Sequence, residues 1–462
     1  MRRVVIVACL LAALFVFVSP GAARGPLQTA ITDPRFGGPM QERAFTRTRA
    51  AGATMVRLIL NWRNIAPERR SPDFVATDPR DPAYRWGPFD QEVAAARAAG
   101  LEPIASVVFA PDWAEGPGRG QQGTVRVDPG DFAAFAQAAA RRYSGSLRVD
   151  GFSEPLPRIR YWQAWNEPNR DYFLMPQYES GRLVSADRYR AMVNRFASAV
   201  RSAAGTNVVV AGGLAPFGRR NKPAPLAFMR KFLSRPARFD VWSHHPYTSG
   251  SPTHKAPARD DVSLGDLPEM RRLLAARARA GRVISRGRIG FWVTEFSWDS
   301  NPPDPRALPA SLHARWVAEA LYRMWQHGVS VVTWFRIEDD PLRTSPYQSG
   351  FFTVDGRRKR SLAAFRFPVV GFAKRGGVAV WGRTPAGRAG RVVVELKAGR
   401  GWRRLATVQT NRYGIFLRTF RTPIKRGFVR ARFAGEASLP FSLTQARDRH
   451  VNPFGCGGAI RC

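Results

Sequence analysis

Cysteine is nearly absent: the 462 residues hold Cys9, Cys456 and Cys462 and no other. A scaffold held by many disulfides is thereby excluded. The six histidines show no metal-ligand spacing, and the adjacent pair His244 and His245 cannot chelate as a unit, because neighbours on a strand point to opposite faces. No metal and no cofactor are expected. Acidic residues are also short, 35 against 72 basic ones, which leaves a formal charge of +37. Lysine stands only at 222, 231, 255, 359, 374, 397 and 425, so arginine carries almost all of that charge. After residue 18 no run approaches the ~20 apolar residues that span a bilayer. No Gly-rich phosphate loop follows an early strand, which argues against an open dinucleotide-binding sheet.

The apolar run Val4–Val18, preceded by Arg2 and Arg3 and followed by Gly21, Ala22 and Ala23, predicts a secretory signal over residues 1–23. An uncleaved anchor is the rival reading. Export to the medium or cell surface agrees with the even pair Cys456 and Cys462, which predicts a small disulfide loop, with two free thiols as the alternative. The arginine excess admits three readings: nucleic acid, an anionic cell-envelope polymer, or a genome-wide preference for arginine codons. Basic residues scattered through helices and turns, with no nucleic-acid motif between them, make nucleic acid an unexpected partner.

A unit repeats through the first 370 residues: an Ala- and Arg-rich helical pattern ends in Gly, and an apolar strand follows. Gly52, Gly100, Gly205 and Gly328 mark four such junctions. The pattern predicts strands near 28–32, 54–61, 102–109, 159–166, 207–213, 239–245, 289–295 and 329–335, with helices between them. Eight strand–helix units close a (β/α)8 TIM barrel, assigned to 24–371. Beyond Pro368, short β-like runs separated by Gly, Pro and Asn predict a small all-β sandwich over 372–446, entered through a linker at 372–377. Residues 447–462 form an irregular tail.

Function in such a barrel sits at the C-terminal ends of the strands. Glu167 ends the fourth strand within Trp165-Asn166-Glu167-Pro168, and Glu295 ends the seventh within Trp292-Val293-Thr294-Glu295-Phe296. Two carboxyls set among aromatic residues are tuned by their surroundings, as glycosidic bond cleavage requires. The alternative for each is a structural ion pair with an arginine. With these residues in view, the barrel resembles the retaining glycoside hydrolases of clan A, over residues 27–368. Asn166-Glu167-Pro168 is similar to the clan's acid/base signature on strand four, and Glu295 occupies its nucleophile position on strand seven. His245-Pro246-Tyr247 resembles the strand-six element, Arg57 the strand-two arginine and Trp334 the strand-eight tryptophan. Strand three departs from the pattern of several families, since Val107-Val108-Phe109-Ala110-Pro111 carries no histidine. That departure leans toward branches resembling β-xylosidases or uronidases rather than typical cellulases.

The resemblance implies that Glu167 acts as acid and base and Glu295 as nucleophile, with Arg57 and Tyr247 bonding the nucleophile. It implies further that Asn166 meets the sugar 2-hydroxyl, that His245 orients the site and that Trp334 floors the pocket. Trp62, Trp113, Tyr172, Phe173 and Trp298 stand near strand ends as candidate sugar platforms, or as loop anchors. Arg336 is a candidate for a uronate carboxylate, or for a pair with Glu338 or Asp339. The expected function is a secreted glycosidase acting on an oligo- or polysaccharide. A non-catalytic glycan- or envelope-binding barrel is the alternative, and an adhesive protein a second.

Overall fold

The computed structural model describes residues 25–452. The expected signal segment and the pair Cys456 and Cys462 lie outside the described residues. Eight strands form a closed parallel barrel: β1 (Gln28–Thr32), β2 (Met55–Asn61), β3 (Glu102–Val108), β4 (Tyr161–Ala164), β5 (Val208–Leu214), β6 (Val241–His244), β7 (Gly290–Phe296) and β8 (Val331–Phe335). Each strand pairs with its neighbours in sequence, and β1 closes on β8 with Gln28 opposite Val331. Helices alternate with them: α1 (Gln41–Ala50), α2 (Gly87–Ala98), α3 (Pro129–Arg142), α4 (Ser185–Ala203), α5 (Pro225–Phe232), α6 (Leu267–Arg279), α7 (Ala310–Gln326) and α8 (Arg360–Arg366).

The helix boundaries follow from local chemistry. Proline stands in the first turn of α2, α3, α5 and α6, where its missing N–H has no intrahelical partner to lose. Asp128 caps α3 by accepting from the amides of Gly130 and Asp131 at 2.7 and 2.8 Å. Gly52, Gly100 and Gly328 take the left-handed conformation expected at helix ends. The fourth junction differs: α4 is ended by Ala204 in an extended conformation, and Gly205 is not needed in the left-handed region.

The barrel interior is layered. Ala30, Met55, Ile104, Val210, Val241, Trp292 and Val331 fill the lower part as an apolar plug. Above them stand Arg57, Ser106, Gln163, Ser243 and Thr294, all buried. Strands β4 and β6 are shorter than the sequence pattern predicts. In β4 the reason is visible: Trp165, at φ 70, leaves the extended conformation immediately after Ala164.

Beyond the barrel the chain forms antiparallel sheets from β9 (Val369–Lys374), β10 (Gly377–Arg383), β11 (Arg391–Lys397), β12 (Trp402–Gln409), β13 (Ile415–Arg421) and β14 (Phe428–Phe433). One sheet has the order β9-β10-β13, and the other contains β12-β11-β14 with two short edge pieces. Alternate residues Val392, Val394 and Leu396 are buried, as expected for a strand with one face on a core. The stretch 372–377, expected as a linker, is instead the end of β9 and the turn of a tight hairpin, with Lys374 opposite Gly377. Its apolar start explains the difference: Val369, Val370 and Phe372 have a surface to cover. Phe372 lies 5.3 Å from Tyr322 of α7, and Trp381 lies 5.5 and 5.6 Å from Tyr322 and Trp325. Barrel and sheets thus share one apolar core. Among the described residues no helix is long and apolar enough to cross a membrane.

Candidate active site

A cavity of about 600 Å³ opens at the C-terminal end of the barrel. Glu167 and Glu295 line it, together with Asn166, Tyr247, Phe335 and Tyr347. The backbone at these strand ends is irregular: Phe109 after β3 and Glu167 after β4, which line the cavity, and Trp165 and Arg336 beside them all have positive φ. Such conformations cost about 1 kcal/mol or more each and persist where the surrounding structure enforces them. For Glu167 the restraint is identifiable, because its amide donates to the Gly213 carbonyl at 3.0 Å.

The orientation of Glu295 depends on an irregularity in β7. Trp292 belongs to the inner plug and Thr294 bonds His245, so residues 292 and 294 face inward. Strict alternation would turn Glu295 out toward the helices. Between Val293 and Phe296, however, β7 holds one residue more than β8, whose partners Val332 and Trp334 are two apart. This bulge lets Thr294 and Glu295 both point inward and returns Phe296 to the outer layer. A second irregularity, between Gly212 and Leu214 of β5, accompanies the inward turn of Glu167 and His245. A side chain at Gly212 would meet the Ser243 carbonyl at 2.3 Å, and one at Gly213 would meet the Gln163 amide at 2.9 Å, so only glycine fits there.

The two carboxyls have different surroundings. Glu295 accepts from the Tyr247 hydroxyl at 2.8 Å and from the Arg57 guanidinium at 3.3 Å. Arg57 is buried and is itself anchored: it donates to Asn166 at 2.6 Å, to Gln163 at 3.1 Å and to Ser106 at 3.2 Å. Glu167 instead meets a neutral partner. Its Oε1 lies 2.9 Å from His245 Nδ1, whose other nitrogen is 3.1 Å from the Thr294 hydroxyl. Burial holds the His245 pKa down at about 3, so the ring is uncharged at neutral pH. Burial pushes Glu167 up to about 7, against the opposing pull of Arg170 and Arg57. A third carboxyl lines the cavity: Asp299, also pushed up to about 7 by burial, accepts from the Gln348 amide at 2.9 Å.

Oxygens of Glu167 and Glu295 and a nitrogen of His245 all lie within 4.8 Å of one another. Such a triad has donors for a cation, but the Arg57 guanidinium already supplies positive charge to Glu295 and occupies one of its oxygens.

The structure brings together Arg57, Asn166, Glu167, His245, Tyr247 and Glu295 from four strands, β2, β4, β6 and β7. It separates the four tryptophans expected at the sugar. Trp334 is buried against Phe351 and Phe365, because on β8 Val331 and Phe335 face inward and residue 334 therefore faces the helices. Trp62 is buried among Trp113, Phe132 and Phe135. Trp113 donates to the Pro67 carbonyl at 2.8 Å and lines a different cleft, with Arg63 and Arg70. Trp298 is buried between Phe296 and Trp316. Tyr172 and Phe173 do line the cavity. Arg336 pairs with Asp340, neither of its expected partners, and is flanked by Phe335 and Tyr347. Sequence reasoning missed Arg170, which stands one turn beyond Glu167, and Tyr347, which reaches the cavity from a long loop without a motif.

No protein-family model matches the chain, and no curated protein matches it in sequence. Its fold is similar to that of a family 39 glycoside hydrolase from the gut symbiont Bacteroides cellulosilyticus WH2. The identity is 16%, over 86% of this chain and 81% of that one, with a TM-score of 0.52. It is also similar to the GH39 enzyme from Xanthomonas axonopodis pv. citri, at 15% identity over 87% and 93% of the two chains and a TM-score of 0.50. At these identities the likeness is one of fold: a (β/α)8 barrel followed by an all-β region.

Proposed function

We propose that this chain is a retaining glycoside hydrolase in which Glu167 is the acid/base and Glu295 the nucleophile. The observation that carries the reading is the pair of carboxyls with oxygens within 4.8 Å across the cavity, one near pKa 7 and the other held by Tyr247 and Arg57. Carboxyls ~5 Å apart suit direct attack, whereas separations of ~6.5 Å or more leave room for an intervening water and inversion.

In the first step Glu167, protonated, gives its proton to the leaving glycosidic oxygen as Glu295 attacks the anomeric carbon. The C–O bond breaks with its electron pair on the leaving oxygen, and a glycosyl ester forms on Glu295. Glu167, now ionised, then takes a proton from water as that water attacks the anomeric carbon, whose bond to the Glu295 oxygen breaks so that Glu295 leaves as carboxylate. His245 suits both forms of Glu167, since the neutral ring presents either an Nδ1–H to the carboxylate or a bare Nδ1 to the acid. The Thr294 hydroxyl rotates to match it. Asn166 accepts from Arg57 through its oxygen, which turns its amide donors to the cavity for a sugar hydroxyl.

Replacing Glu295 by Gln is expected to lower kcat about 10⁴-fold or more on any glycoside. Glu167→Gln should lower it ~10²- to 10⁴-fold for poor leaving groups. With an activated aryl leaving group the first step needs little acid, so this variant should show a burst followed by slow turnover. NMR of the first-formed anomer checks the stereochemistry, and an inverted product would exclude a glycosyl-enzyme. Singly substituted variants with unchanged rates would exclude the reading altogether.

Export and envelope attachment form part of the same proposal. In residues 369–452 the acids are Glu395, Glu436 and Asp448 alone, paired with Arg430, Arg366 and His254, while arginines such as Arg391, Arg403, Arg404, Arg418 and Arg421 are exposed. This excess supports attraction to an anionic polysaccharide or envelope polymer, read as retention on such a polymer that is lost at ~0.5 M salt.

A further inference from the structure

The candidate site is lopsided in charge. On the side of Glu167, Arg170, Arg219 and Lys222 all border the cavity, Arg170 from the turn after β4 and the other two from the connection between β5 and α5. Lys222 is tied to Asp171 at 3.1 Å and lies 4.4 Å from the centre of the Tyr172 ring. Arg170 is the unusual member. It is only 9% exposed, yet among the described residues its guanidinium has no ion pair and no side-chain hydrogen bond. Other buried arginines of the barrel are matched: Arg57 by Glu295, Arg142 by Asp90 and Arg336 by Asp340. An unpaired buried charge is costly, and it is tolerated where a ligand brings the missing partner. Arg219, exposed at the cavity rim, is likewise without an ion pair among the described residues.

The direction of the cleavage reaction fixes which sugar these cations face. An acid must lie beside the oxygen it protonates, so the leaving residue sits on the Glu167 side. The Arg170 charge couples to Glu167, while Glu295 is met by Arg57 and Tyr247 from the other strands. On that same side Phe109 and Phe173 stack at 5.7 Å, and Tyr172, 61% exposed, extends the surface. An apolar ring face and two free guanidinium groups together suit a sugar that carries a negative charge.

We propose that Arg170, Arg219 and Lys222 form a subsite for an anionic group, carboxylate or sulfate, on the sugar at the leaving-group side of the cleaved bond. The proposal rests on the glycosidase reading above, and its test separates the two. Aryl glycosides sharing one sugar are compared with a neutral, a carboxylated and a sulfonated phenol as leaving group, using the full chain. The readout is the ratio of kcat/KM for anionic over neutral substrate, since any effect of a substitution on Glu167 is common to both.

The expected ratio is about tenfold or more, falling toward one in Arg170→Gln, in Arg219→Gln and at high salt. A preference for the carboxylate alone identifies a uronate, and an equal response to both anions identifies charge without shape. A ratio near one in the native protein, with the neutral glycoside still cleaved, overturns the subsite and leaves the glycosidase reading intact. Should no glycoside be cleaved, that reading fails, and calorimetry with a uronate-terminated disaccharide decides the subsite: weaker binding by Arg170→Gln supports it and equal binding overturns it. Folding is not the obstacle, because removing an unpaired buried charge is expected to leave Tm unchanged or higher.

Discussion

At the scale of single residues the two carboxyls differ through desolvation and hydrogen bonding rather than through type. Glu167, pushed up to about 7, keeps its proton below neutral pH and is about half protonated at pH 7. For glycosides with poor leaving groups, kcat/KM should therefore fall about tenfold per pH unit above 7, and Glu167→Gln should flatten that limb. The same shift has a signature in stability. Between the ordinary value of 4.5 and about 7, the folded protein keeps a proton that the unfolded chain has released. Stability contributed by this group thus falls as pH rises through that window. Glu167→Gln removes the cost of the buried charge, so urea unfolding should show the variant gaining roughly 3 kcal/mol over the parent at pH 8 and nothing at pH 4. An unchanged difference across pH would mean that Glu167 is not desolvated.

Single elements set the geometry that those residues need. The extra residue in β7 turns Glu295 into the cavity, and a test follows from it directly. Deleting Thr294 restores regular pairing with β8 and moves Glu295 into the inward place that Thr294 held, one residue lower in the barrel and away from the Tyr247 hydroxyl, so activity should fall to the level of Glu295→Gln. Thr294→Val keeps the bulge and removes only the hydroxyl that meets His245, and a loss below about 100-fold is expected. Equal losses in the two variants would show that the hydroxyl matters and the bulge does not. The β5 glycines act in the same layer. Gly213→Ala is expected to displace Gln163 and with it the support of Arg57, lowering Tm and activity together.

Across the whole molecule, the sheets behind the barrel are part of its core rather than an appendage. Trp381 fills a niche made by Tyr322 and Trp325 of α7, the Arg315 guanidinium lies 4.1 Å from the Phe441 ring, and Arg366 clasps Glu436 with two bonds at 2.7 and 2.8 Å. Heating should give one cooperative transition for both parts. Trp381→Ala should lower its midpoint, by about 3 kcal/mol in stability, without splitting it. Two resolved calorimetric peaks would show that the parts unfold independently. A protein ended at residue 371 would expose the α7 face and is expected to aggregate.

The chain's local pattern determined the barrel, because strand and helix periods and the glycines between them act over a few residues and need no distant partner. The ends of those strands also marked Glu167 and Glu295, since the closed sheet leaves strand ends no other place to gather, while Arg57, His245 and Tyr247 were marked by the resemblance of their motifs. What only the tertiary structure decided is the facing of individual side chains. Trp334, Trp62 and Trp298 sit at strand ends too, yet parity, a one-turn helix and a loop return them to the helix layer. The same applies to Arg170, whose lack of a carboxylate is a fact about its neighbours in space. A residue's neighbours along the chain fix its backbone period, but its partners come from other strands, and a single inserted residue is enough to exchange them.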